Sequence, residues 1–140
     1  MTTVVDTNII VALWDTDDTL NSAAQAALDR AIARGSLVIP APIYAELMAF
    51  AGRTELFLDT FFRQTGVTVD WNLTEAVWRQ AGQAFQSYAA RRRRQRDAGP
   101  RRILADFVIG AYATRHNYSL LTLDEGIYRA AFPALRVVSA

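Results

Sequence analysis

Five short runs rich in branched apolar residues, separated by segments with helical character, constrain this chain more than any single motif. Val4-Val5, Leu37-Val38-Ile39, Val67-Thr68-Val69, Leu120-Leu121-Thr122 and Arg136-Val137-Val138 have the character of strands buried in a parallel sheet. Between them the helix signals are local. Asn21 or Ser22 can cap a helix over 23–34 that Gly35 ends, and Pro40 and Pro42 lead into a helix over 43–50. Thr54 can cap a run to Gln64 closed by Gly66, Thr74 opens a long helix with Glu75 in its first turn, and 103–115 makes another. The order β-α-α-β-α-α-β-α-α-β-α-β predicts an α/β fold with a mostly parallel sheet of about five strands and helices on both faces. With 140 residues, 51% of them apolar, the expectation is one domain over 1–140 with a core of its own.

Four carboxylates stand where this pattern has no evident use for charge. Asp6 ends Val4-Val5, Asp124 follows Leu120-Leu121-Thr122-Leu123, and Glu46 and Asp106 are each the only charge in an eight-residue apolar stretch. Asp6 and Asp124 each have a plain alternative, capping the short helix that follows. Glu46 and Asp106 resist that reading, because a helix apolar on nearly all sides is buried on most of them. An ionised carboxylate in apolar surroundings costs several kcal/mol unless paired or bound to metal, and the residues adjoining these four include no Lys, Arg or His. The pattern therefore asks for a divalent cation. Parallel strands share their carboxyl-end side, so Asp6 and Asp124 fall at one sheet edge, where open α/β sheets place their sites.

Composition narrows the chemistry. The chain has no cysteine and one histidine, His116, which leaves neither a thiol nucleophile nor a credible zinc cage and suits a reducing cytoplasm. All-oxygen donors favour Mg²⁺ or Mn²⁺. The longest apolar runs are much shorter than a membrane span, and no basic-then-apolar leader opens the sequence. All fifteen basic residues are arginine, and seven of them fall between Arg91 and Arg102. Lysine is absent, which argues against phosphoacceptor domains and aspartyl phosphatases, because both normally pair a lysine with the phosphoryl group. Asp6-Thr7-Asn8 also lacks the second Asp that the phosphatases place two residues on.

Val4-Val5-Asp6-Thr7-Asn8, Ala45-Glu46-Leu47 after Pro40 and Pro42, Ala105-Asp106-Phe107-Val108-Ile109-Gly110-Ala111 and Leu121-Thr122-Leu123-Asp124-Glu125-Gly126 together resemble the ordered acidic motifs of PIN-domain ribonucleases. Length and spacing are similar to the toxin components of bacterial VapBC toxin-antitoxin pairs, and the resemblance spans 4–138. It implies a PIN-like α/β/α sandwich and a metal-dependent endoribonuclease. Asp6 and Asp106 would be direct metal ligands, and Glu46 and Asp124 would act directly or through metal-bound water. It also implies a homodimer inhibited by a cognate antitoxin. Asn8 and Thr122 are candidates to orient a carboxylate or a water, beside ordinary readings as a turn and a strand residue. The rival readings are a housekeeping RNA-processing nuclease and a non-catalytic RNA-binding or partner-binding module of the same fold.

The arginine run departs from the pattern in its density. Arg91, Arg92, Arg93, Arg94 and Arg96 read as a solvated helix end that complements the macrodipole, as an RNA-phosphate grip, or as a dock for an acidic or carboxyl-terminal antitoxin segment. Gly99-Pro100 should end the helix that carries them in a short flexible linker. Trp14 could stack on a base but reads better as a core or partner-groove residue. His116 reads as a cap or surface residue, and Phe57, Phe61 and Phe62 as exposed interface residues or core.

Overall fold

The apolar runs become the strands and the intervening segments the helices. The computed structural model describes residues 1–95 and 103–140, so Arg96 and the Gly99-Pro100 linker lie outside the described residues. In chain order the elements are β1 (Thr2–Val5), α1 (Thr7–Trp14), α2 (Asn21–Arg34), β2 (Ser36–Pro40), α3 (Ala41–Leu47) and α4 (Glu55–Thr65). There follow β3 (Val67–Asp70), α5 (Glu75–Gln95), α6 (Leu104–Arg115), β4 (Ser119–Thr122), α7 (Glu125–Ala131) and β5 (Arg136–Ser139). The element order is the one the sequence predicts.

Every strand pair is parallel, and the strands lie in the order β3-β2-β1-β4-β5. β1 sits at the centre, with Val4 opposite Val38 on one side and Leu120 on the other. Connections from β1 to β3 run toward one edge of the sheet, and those from β3 through β5 run back toward the other. For right-handed crossovers this sends helices to opposite faces. It also makes the gap between the carboxyl ends of β1 and β4 the point where strand order reverses. Val4 and Val5 of β1, Ile39 of β2 and Leu120 and Leu121 of β4 are buried, under Ile9, Phe107, Ile109 and Tyr112 from the helices.

Two helix ends depart from the sequence expectation. Asn21 does not cap α2 as expected; it lies in the helix, and its buried side-chain amide donates to the Ala12 and Leu13 carbonyls at 2.8 and 3.3 Å. It thereby satisfies orphan carbonyls at the end of α1. α3 stops at Leu47 instead of reaching Phe50, because the chain tightens into three-residue turns: Ala49 N–H donates to the Glu46 carbonyl and Phe50 N–H to that of Leu47. The α4 signals hold. Thr54 Oγ1 accepts from Phe57 N–H at 3.2 Å, and Gly66 closes the helix at φ 75°. Phe62 is buried and Phe57 and Phe61 pack partly buried on the core, so the exposed aromatics are Phe50, Trp71 and Trp78. Among the described residues no helix is long and apolar enough to cross a membrane.

Packing explains the glycine in α6. A Cβ on Gly110 would fall 2.2 Å from the buried ring of Phe132. Gly110→Val should cost roughly 3 kcal/mol, because overpacking outweighs the gain in helix propensity. Urea unfolding measures this, and a variant as stable as the parent would contradict the packing seen here.

Candidate active site

Asp6 is set by backbone before its side chain is considered. Its N–H donates to the Leu121 carbonyl at 2.9 Å, extending the β1–β4 ladder by one residue, and the chain then turns into α1. The carboxylate is 5% exposed. Its Oδ1 accepts from Thr7 N–H at 2.8 Å, so the capping reading holds. Its Oδ2 accepts from two hydroxyls, Thr122 at 2.8 Å and Tyr128 at 3.0 Å. None of these three partners is a cation. Burial pushes the Asp6 carboxyl up to about 6, against the three hydrogen bonds that favour its ionised form.

Around Asp6 the neighbouring strands and helices interlock. Thr122, fully buried at the end of β4, also accepts from the Asn8 side-chain amide at 3.3 Å and from Asp124 N–H at 3.0 Å. Asn8 Oδ1 accepts from Leu123 N–H at 3.1 Å. One hydroxyl therefore fixes the Asp6 rotamer and the backbone that presents Asp124. Asp124 occupies the N-cap position of α7 without making a side-chain cap hydrogen bond, which corrects that expectation. Glu46, one residue from the end of α3, accepts from the Thr7 hydroxyl at 2.9 Å. Its carboxyl is raised by burial and by the charges of Asp106 and Asp6. Asp106 comes from the first turn of α6.

Asp6, Asn8, Glu46, Asp106 and Asp124 all line one cleft of about 300 Å³, with Thr7, Val11, Phe50, Ile127 and Tyr128. The structure thus brings the four predicted acids together. Glu46 and Asp106 are half-buried at the cleft wall, and Asp6 is the deeply buried one. Thr7 and Tyr128 were not anticipated. A four-residue spacing puts Tyr128 on the same helix face as Asp124, which is the one sequence signal for it. Among the described residues no group of three or more His, Cys, Asp or Glu is disposed to hold an ion as it stands. The donor set is nonetheless all oxygen, and the buried Asp6 has only neutral donors. That chemistry fits a hard divalent cation held jointly with water.

The remaining candidates lie elsewhere. Arg92, Arg93 and Arg94 occupy the last turn of α5, just after Arg91, and none of the four lines the cleft. Arg92 donates to the Tyr88 hydroxyl at 3.4 Å, and the Tyr88 ring lies 5.3 Å from Phe107, the neighbour of Asp106. His116 is the C-cap of α6, stacked on Tyr118 at 5.2 Å. Trp14 packs against Phe50, Phe57 and Phe61.

A parallel sheet with an acidic cleft at its switch point defines a class of α/β protein with one acid-lined site at its strand ends. The chain belongs to the PIN domain family, whose model matches residues 3–133. Among curated proteins none matches in sequence. Solved structures share the fold at low identity. The VapBC2 toxin-antitoxin structure from Rickettsia felis, bound to a promoter DNA fragment, superposes with a TM-score of 0.70 at 16% identity, covering 100% of this chain and 99% of that one. A toxin-antitoxin complex from Klebsiella pneumoniae gives 0.66 at 21% identity over 97% of this chain and 95% of that one. VapC20 from Mycobacterium tuberculosis, described as a sarcin-ricin loop cleaving toxin, gives 0.58 at 17% identity over 96% and 98%.

Proposed function

We propose that this protein is a metal-dependent endoribonuclease acting as the toxin of a VapBC-type toxin-antitoxin pair in the cytoplasm. The observation that carries the reading is the gathering of Asp6, Glu46, Asp106 and Asp124, from four separate parts of the chain, on one cleft at the sheet's switch point. Membership of the PIN domain family and the likeness to toxin-antitoxin complexes support it, as does the RNA target in the description of VapC20.

In this reading Asp6 and Asp106 hold Mg²⁺ or Mn²⁺, and Glu46 and Asp124 bind it directly or through water. The ion, when bound, activates a water and neutralises charge on the phosphodiester. The chain's own residues do the positioning. Thr122 and Tyr128 hold the Asp6 carboxylate in one rotamer from the side away from the cap. Thr7 orients Glu46 toward the same cleft, where it is placed to take a proton from the attacking water. Asn8 ties the Leu123 backbone to α1 and so keeps Asp124 on the cleft that Asp6 lines.

The proposed partners are single-stranded or looped RNA, a cognate antitoxin and a second copy of the chain. Purified protein should cut RNA in Mn²⁺ and not in EDTA, and sequencing of RNA fragments after brief induction in cells should identify the target. A folded protein that cuts no RNA with metal would leave a binding module.

The arginines at the end of α5 serve this reading as a phosphate grip. Replacing Arg91, Arg92, Arg93 and Arg94 with Gln should weaken RNA binding and flatten its salt dependence, by up to about 0.7 in log-log slope per lost contact with a single strand. Filter binding across a salt series reads the slope. An unchanged slope would assign the run to a solvated helix end or to the antitoxin.

A further inference from the structure

Beside the acid cleft the chain builds an aromatic platform that the acids do not use. Phe50 lines the cleft with Glu46, yet its ring is 42% exposed and stands 6.5 Å from Trp14. The Arg53 guanidinium lies 4.4 Å over the Trp14 ring and 4.3 Å over that of Phe57. It makes no ion pair with any described residue. Arg53 Nε and Trp14 Nε1 are both buried without an acceptor.

Those facts point in one direction. Arg53 Nε and Trp14 Nε1 are closed off from a docking ligand, so what favours a partner rich in acceptor oxygens is the guanidinium charge that no described residue neutralises. An exposed ring next to it favours a ligand with flat apolar faces. Single-stranded nucleic acid offers both, as phosphates and as bases that stack on aromatic side chains or guanidinium planes. The platform is also fixed to the catalytic wall. Successive turns run from the Glu46 carbonyl to Ala49 N–H, from Leu47 to Phe50 and from Phe50 to Arg53, each at 3.1–3.2 Å. Phe50 and Arg53 therefore keep their place relative to Glu46.

We propose that Phe50 and Arg53 form a subsite for the nucleotide flanking the cut bond, with Phe50 stacking its base and Arg53 contacting its phosphate while Trp14 and Phe57 hold the guanidinium flat. The proposal rests on the nuclease reading above. It extends the RNA path from the acids along the turn between α3 and α4.

Fluorescence anisotropy of a labelled ten-nucleotide single-stranded RNA, measured in EDTA so that no cutting occurs, tests it. Phe50→Ala should bind about tenfold more weakly, the scale of one lost base stack. Arg53→Gln should lower the log-log salt slope by about 0.7, and Arg53→Lys should retain the slope because it keeps the charge. Circular dichroism checks each fold, and if Arg53→Gln unfolds, the exposed Phe50 carries the test alone. Folded variants with wild-type affinity and slope would overturn the subsite and assign the platform to a protein contact. Failure of the nuclease reading looks different: wild type would bind the RNA in EDTA and leave it uncut in Mn²⁺.

Discussion

Asp6→Asn and Asp106→Asn should each lower RNA cleavage by roughly a thousandfold or more, the scale expected when charge stabilisation at a reacting phosphodiester is removed. The amide keeps the shape of the side chain, and at position 6 it keeps an oxygen for Thr7 N–H. The Tyr128 hydroxyl can rotate to accept from the new amide nitrogen, while the Thr122 hydroxyl, which already accepts from Asn8 and from Asp124 N–H, loses only its bond to position 6. What is lost is the negative charge that a cation needs. Thr122→Val removes only the positioning hydroxyl and should cost less, about 10- to 100-fold. Rates on a short RNA in Mn²⁺, with circular dichroism as the fold control, separate these cases. Either Asn variant cutting at near wild-type rates would remove its acid from the site.

The order of elements was legible because continuous branched runs and helical segments differ in period and composition, and both are local properties. β1 and β4 illustrate this: Val4-Val5 and Leu120-Leu121 are fully buried, as their composition predicts. The acids were legible for the opposite reason, being charges inside stretches that otherwise avoid them. Which of them lies deepest was not. A helix apolar in composition still leaves Glu46 and Asp106 half-exposed when the face that carries them opens on a cleft. Asn21 shows where local rules stop. Its capping preference is real, but the carbonyls it satisfies belong to Ala12 and Leu13 of the preceding helix, which only the fold brings near. Tyr128 and Thr7 were missed on the same ground, because a hydroxyl becomes a positioning group only once tertiary structure puts a carboxylate beside it. The turn after Leu47 was equally hidden, since 48–50 is apolar and has no breaker before Gly52.

Asp6 also makes the stability of the metal-free protein depend on pH in an unusual direction. Its carboxyl is raised from the ordinary 3.8 to about 6, chiefly by burial, so the fold favours the protonated form. The folded chain therefore binds more protons here than the unfolded chain. The stability this gives is fully present below pH 3.8 and is lost as pH rises through about 6. At pH 7.5 the ionised, uncompensated carboxylate costs roughly 3 kcal/mol relative to that limit. Glu46, also raised, acts with the same sign. In EDTA, urea unfolding of wild type between pH 7.5 and 4.5 should show a gain that Asp6→Asn lacks, and the difference between the two proteins reports Asp6 together with its charge coupling to Glu46 and Asp106. Mn²⁺ at pH 7.5 should stabilise wild type by binding only the folded state. It should do so much less at pH 5, where the proton competes for the same oxygens. Asp6→Asn should be at least as stable as wild type in EDTA at pH 7.5 and should respond weakly to the ion. If instead the two proteins track each other across this pH range and Mn²⁺ shifts neither, Asp6 is a helix cap held by two hydroxyls, and the cation assigned to the cleft has no physical support.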